Sequence, residues 1–169
     1  MKFYRTFSRV TFLAGLTLFA LTACDNYFVQ KPSCGFGFDM GYDDQHAAVL
    51  DFLLMGENAK IAETQTAYVE KGHKWYFEGL GFQYDRPTSL YVKWQDDVSG
   101  SIYEKTVDLR PVIPRNLEAT DLYFIVHGSE IFVYLKLNKS RAKDKPIIGS
   151  SIYEGYENLQ LYPNSDSRK

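Results

Sequence analysis

The stretch LYFIVHGSEIFVYLKL, residues 122–137, constrains this chain most. Two apolar runs flank Gly128-Ser129, and a glycine in the first of two loop positions suits a type II′ turn, because only glycine takes the required positive φ cheaply. In the second arm Ile131, Val133, Leu135 and Leu137 recur with a period of two, so they share one face of an extended strand. The same period appears upstream in LYVKWQ, residues 90–95, where Leu90, Val92 and Trp94 oppose Tyr91, Lys93 and Gln95. After a turn at Asp96-Asp97-Val98-Ser99-Gly100 comes SIYEKTVDL, whose Tyr103, Val107 and Leu109 fall on one face, which predicts another hairpin. Pro111 and Pro114 fall between the hairpins, where a missing N–H does least harm, and residues 158–162 predict a last strand. Short strands separated by turn signals predict an all-β, or β-rich α+β, domain built as an antiparallel β-sandwich or an open barrel.

Other segments are less regular. HAAVLDFLL, residues 46–54, is read as a strand, although so short an apolar run also fits a helix. Residues 56–73 are polar with no clean period, which fits a long loop or a marginal helix. Residues 75–82 are aromatic-rich, and Gly79 and Gly81 there predict a bulge or tight bend. Residues 25–45 hold Pro32, Gly35, Gly37, Gly41 and Asp43-Asp44, a composition that reads as a tether.

The N-terminal residues address the chain to a membrane. Lys2, Arg5 and Arg9 precede an apolar run from Val10 to Ala23, the layout of a signal peptide. At about 14 residues the run is shorter than the roughly 20 needed to span a bilayer as a helix. Leu21-Thr22-Ala23-Cys24 resembles the lipobox of bacterial lipoproteins, which implies cleavage before Cys24, acylation of its sulfur, and a membrane anchor. Asp25 resembles the inner-membrane retention signal of enteric lipoproteins, implying an inner-membrane protein facing the periplasm, with the outer membrane as the alternative. The expected organisation is a signal peptide over 1–23, a lipidated N-terminus and tether over 24–45, one β-rich domain over 46–162, and a tail over 163–169. Cys24 and Cys34 are the two cysteines. In an oxidising compartment they would pair, but acylation of Cys24 leaves Cys34 alone, most simply as a small buried thiol.

Cleavage removes three basic residues, leaving 16 against 21 acidic ones, a net charge of −5. Such a domain suits a basic protein partner and is a poor candidate for nucleic acid. His46, His73 and His127 form no HxH or HExxH pattern, and the sequence has no G-x-S-x-G, CxxC or P-loop motif. The sequence therefore predicts no enzyme, no metal and no cofactor. Asp96-Asp97 reads as a pair of turn formers in preference to a cation loop. His127 reads as a solvated strand-end residue, and Trp75-Tyr76-Phe77 should expose at least one ring, as core packing and aromatic anchoring of an interface both allow.

YDRPTSLYVKWQDDVSGSIYEKTVDL, residues 84–109, is similar to a family of small proteobacterial lipoproteins. In these a proline leads an extended segment ending in a basic residue and Trp, then a turn and a YEK-V strand. Gly41-Tyr42 and the later strand pair extend the resemblance, while WYFEGLGF replaces a cysteine-containing strand. The resemblance implies an immunity protein that binds and neutralises a phospholipase effector delivered by type VI secretion. Candidate contact residues, chosen as exposed at loops and edges, are Asp96, Asp97, Tyr103 and His127. The rival expectation is an accessory envelope lipoprotein that binds an assembly component and has no toxin.

Overall fold

The computed structural model describes residues 33–164 apart from Tyr84 and Glu118. The described residues belong to one compact unit. The leader, Cys24, Asp25 and residues 165–169 lie outside the described residues. Among the described residues no helix is long and apolar enough to cross a membrane.

Two sheets pack face to face as a β-sandwich, with no closed barrel. One sheet has the order β4-β1-β7-β8-β9 and the other β3-β2-β5-β6. The strands are β1 (Ser33–Asp39), β2 (Ala47–Gly56), β3 (Lys60–Glu63), β4 (Phe77–Gln83), β5 (Pro87–Asp96), β6 (Ile102–Asp108), β7 (Asp121–His127), β8 (Glu130–Ser140) and β9 (Tyr156–Tyr162). A single-turn helix, α1 (Thr66–Val69), follows β3. β1 runs parallel to β7, and the other pairings are antiparallel.

Alternation builds the core. Leu90, Val92 and Trp94 of β5 and Ile131, Val133 and Leu135 of β8 are buried between the sheets, as their period requires. Phenylalanines join the layers: Phe52 of the four-stranded sheet meets Phe36 at 5.6 Å and Phe38 at 5.7 Å between ring centroids, and Phe38 in turn meets Phe124 of its own sheet at 5.0 Å. Such pairs add about 0.5–1.5 kcal/mol each beyond the area they bury. Both expected hairpins form, β5 with β6 and β7 with β8, and Gly128 takes the positive φ, 54°, that its turn demands. Across the sandwich, the indole Nε1 of Trp94 donates to the Gly128 carbonyl at 2.8 Å, fixing one sheet's turn to the other sheet's strand.

Three segments differ from expectation. β1 lies inside the stretch read as a tether, and its Cys34, Phe36 and Phe38 are core residues. β4 pairs with β1 in unbroken register, Gly35 opposite Gly81 and Gly37 opposite Gly79, so these glycines mark no bulge. The polar stretch 56–73 holds β3 and α1. In β1 and β4 the glycines and Phe77 occupy the outer face while Phe36, Phe38, Leu80 and Phe82 fill the inner one. A Cβ on Gly35 would stand 2.1 Å from Asp121 Oδ1, and one on Gly37 would stand 2.6 Å from the Glu78 carbonyl oxygen.

Cys34 is a free, buried thiol that donates to the Leu117 carbonyl at 2.9 Å, and burial pushes its pKa up. This matches the buried-thiol reading. Residues 141–155 fold over the outer face of β7 and β8, where the Tyr123 ring lies 5.3 Å from Tyr134 and 4.8 Å from Tyr153. That cover is why Tyr123 and Ile125 are buried although they point away from the main core.

Candidate partner-binding surface

β1, β5 and β7 end, and β2, β4, β6 and β8 begin, at one pole of the sandwich. The loop between β1 and β2, residues 40–46, is its centre. Asp43, Asp44 and His46 there have φ of 59°, 50° and 46°. Left-handed non-glycine residues cost of order 1 kcal/mol each and persist where surrounding bonds over-determine them. Gln45, 3% exposed, supplies those bonds: its Nε2 donates to the carbonyls of Asp39 (2.8 Å) and Tyr42 (3.1 Å), and its Oε1 accepts the Val126 amide at 3.0 Å. The Asp97 amide donates to the His46 carbonyl at 2.7 Å, joining this loop to the β5–β6 turn. Asp43 accepts from the Ser150 hydroxyl at 2.5 Å and the Ser151 amide at 2.9 Å, latching residues 141–155 to the pole. Burial opposes its charge, but the Ser150 and Ser151 donors outweigh it and hold the Asp43 carboxyl below the usual range.

On this rigid base stand exposed rings. Tyr42 is 45%, Tyr76 50% and Phe77 66% exposed. Tyr42, Asp44, Tyr76 and Asp97 border a depression of about 350 Å³. Five aspartates, Asp39, Asp43, Asp44, Asp96 and Asp97, converge on the pole, and among the described residues one ion pair engages them, Lys74 with Asp97 at 3.2 Å. Aromatic anchors inside a predominantly acidic rim are the composition of a protein-docking surface.

The residues expected from sequence fall unequally. Asp97 and His127 lie on the pole, both where a partner can reach them. Asp96 is there too, but its Oδ1 accepts the amides of Ser99 at 2.6 Å and Val98 at 3.0 Å, and the Ser99 and Val98 donors lower its pKa against slight desolvation. Its carboxylate is therefore spent on its own turn, as the turn-former reading has it. Tyr103 requires correction: it pairs with Trp94 on the inward face, ring centroids 5.8 Å apart, and is half-buried against the core. It does lie on an edge strand, β6, but the face it shares with Val107 and Leu109 turns it inward.

Sequence reasoning missed Tyr42 and Asp43. Asp43 falls in the stretch whose composition reads as a tether, and its serine partners lie 107 and 108 residues away, beyond any local pattern. Among the described residues no group of three or more His, Cys, Asp or Glu is arranged to hold a metal ion. No protein-family model, curated protein or solved structure matches the chain.

Proposed function

We propose that this protein is a lipid-anchored inhibitor that binds and neutralises a secreted phospholipase toxin on the periplasmic side of the inner membrane. The observation that carries the reading is the pole itself, where Tyr42, Tyr76 and Phe77 stand exposed among five aspartates around a loop locked by Gln45. A preorganised surface loses little entropy on docking, and its charge favours capture of a basic partner. The resemblance of residues 84–109 to immunity lipoproteins supplies the class of partner.

Anchoring fits this geometry. β1 runs from Ser33 towards the pole, so the chain enters the sandwich at the opposite end, about 20 Å away at the rise of a strand. Eight residues separate Cys24 from Ser33, a reach of at most about 30 Å over the nine intervening Cα steps. An inhibitor confined to the surface its target attacks meets it at raised effective concentration.

The test is to search the gene's neighbourhood for a secreted lipase-like protein and to co-purify it with residues 25–169, with phospholipase activity read in parallel. Tight association with loss of activity is expected. A folded domain that neither binds nor inhibits it would favour the accessory lipoprotein.

A further inference from the structure

A groove of about 230 Å³ crosses the outer face of the five-stranded sheet beside the pole. Its floor is Gly35 and Gly37 of β1 and Gly79 of β4. Phe77 of the edge strand β4 forms one wall, and Ile152 and Tyr153 of the covering segment form the other. Gly35 and Gly37 are required by the fold, because a Cβ at either would collide with a neighbour. Gly79 is different. The nearest atom to a Cβ there is Phe77 Cζ at 3.5 Å, an ordinary contact, and its φ is not left-handed. Glycine in a strand costs about 0.5–1 kcal/mol relative to alanine, and where neither space nor backbone demands it, close approach of another molecule is a physical reason for it.

The electrostatics of the groove are one-sided. Asp39 and Asp121 line it, and no Lys, Arg or His does. Asp121 is paired with Lys136 from the β8 side. Asp39 is cross-strand neighbour to Phe77; its Oδ1 accepts the Gly41 amide at 2.9 Å, and it has no cationic partner among the described residues. A carboxylate beside a two-thirds-exposed phenyl ring, over a floor without side chains, matches a long cationic side chain: methylenes on the glycines, charge at Asp39, cation against ring.

We propose that this groove receives an arginine or lysine side chain presented by the protein partner. The inference rests on the inhibitor reading and deepens it, since it states the chemistry the partner must carry next to the pole.

The probes are two capped tripeptides, acetyl-Gly-Arg-Gly-amide and its neutral citrulline counterpart, titrated into ¹⁵N-labelled residues 25–169, which contain the complete sandwich core. The arginine peptide is expected to shift the backbone amides of Gly35, Gly37, Asp39 and Gly79 saturably, and the citrulline peptide to leave them in place. Asp39→Asn, whose side-chain oxygen can still accept the Gly41 amide, is expected to weaken binding about tenfold, the loss of one charge-assisted contact. Gly79→Leu is expected to keep a dispersed native spectrum and abolish the shifts. Equal shifts with citrulline, shifts confined to Asp44 and Asp97, or undiminished binding to Gly79→Leu would each overturn the proposal. A saturable groove response from a domain that fails to inhibit phospholipase keeps the groove and removes the toxin; inhibition with a silent groove removes the groove alone.

Discussion

Trp94→Phe probes the joint between the two layers. Trp94 is 1% exposed, and its Nε1 donates to the Gly128 carbonyl at 2.8 Å, so one side chain of the four-stranded sheet holds the β7–β8 turn of the other. Phenylalanine keeps most of the apolar ring but removes the donor and leaves space beside Tyr103. The lost hydrogen bond is worth about 1–2 kcal/mol with its acceptor left partly buried. The incompletely filled volume adds about 1–2 kcal/mol. Together they give about 3 kcal/mol, which for a domain of this size lowers Tm by about 10 °C. Urea unfolding of residues 25–169 measures this directly, as a lower midpoint at unchanged slope. His127 Cα and the Gly128 amide should shift in the NMR spectrum of the variant while Phe36 and Phe38 at the sandwich centre should not. A loss under about 0.5 kcal/mol, the scale of an ordinary surface substitution, would refute the claim that the indole bonds the sheets together.

Gly37→Ala should destabilise by about 1–3 kcal/mol, because its Cβ meets the Glu78 backbone carbonyl, whereas Gly79→Ala should be neutral or slightly stabilising; thermal melts of the pair decide it. Asp43→Asn should loosen residues 141–155 and raise limited proteolysis there, with β5 and β6 unaffected. Asp43 has a lowered folded pKa, so its contribution is present above its unfolded value of 3.8 and is lost as pH falls through the folded value. Melting temperature plotted against pH should accordingly fall less steeply below about pH 4 in Asp43→Asn than in the parent. Cys34 should resist iodoacetamide in the native protein and react after denaturation, with no Cys24–Cys34 disulfide in the intact chain; rapid native labelling would contradict its burial.

The sandwich was legible where side chains alternate cleanly. β5, β6 and β8 each carry an apolar face of period two, and a glycine-led turn joins β8 to β7, whose continuous apolar run is buried on both faces. β1 and β4 were not, because their outward residues are glycines, which read locally as loop or bulge although the inward residues Phe36, Phe38, Leu80 and Phe82 keep the strand period. The signal was there: Gly-Phe-Gly-Phe alternates as strictly as Leu-Tyr-Val-Lys. β3 and α1, four residues each, are too short to show a period and take their form from β2 and from the bond between Phe52 and Thr64 at 2.8 Å. At the pole, turn chemistry placed Asp96 and Asp97 correctly at the end of a hairpin. What sequence could not reveal is that Asp43, Ser150, Gln45 and Val126 meet, since those bonds span 81 to 108 residues.

The most direct test of the account is the activity of a secreted phospholipase of the proposed target class, found in the gene's neighbourhood, titrated with residues 25–169 and with the double variant Tyr76→Ala, Phe77→Ala. The account expects the parent domain to extinguish activity near equimolar ratio. The double variant, still folded, should bind at least about thirtyfold more weakly, as removal of two exposed aromatic anchors costs about 2 kcal/mol or more. Equal inhibition by both proteins would contradict the assignment of the pole as the binding surface, and absence of inhibition by a folded parent domain would contradict the function itself.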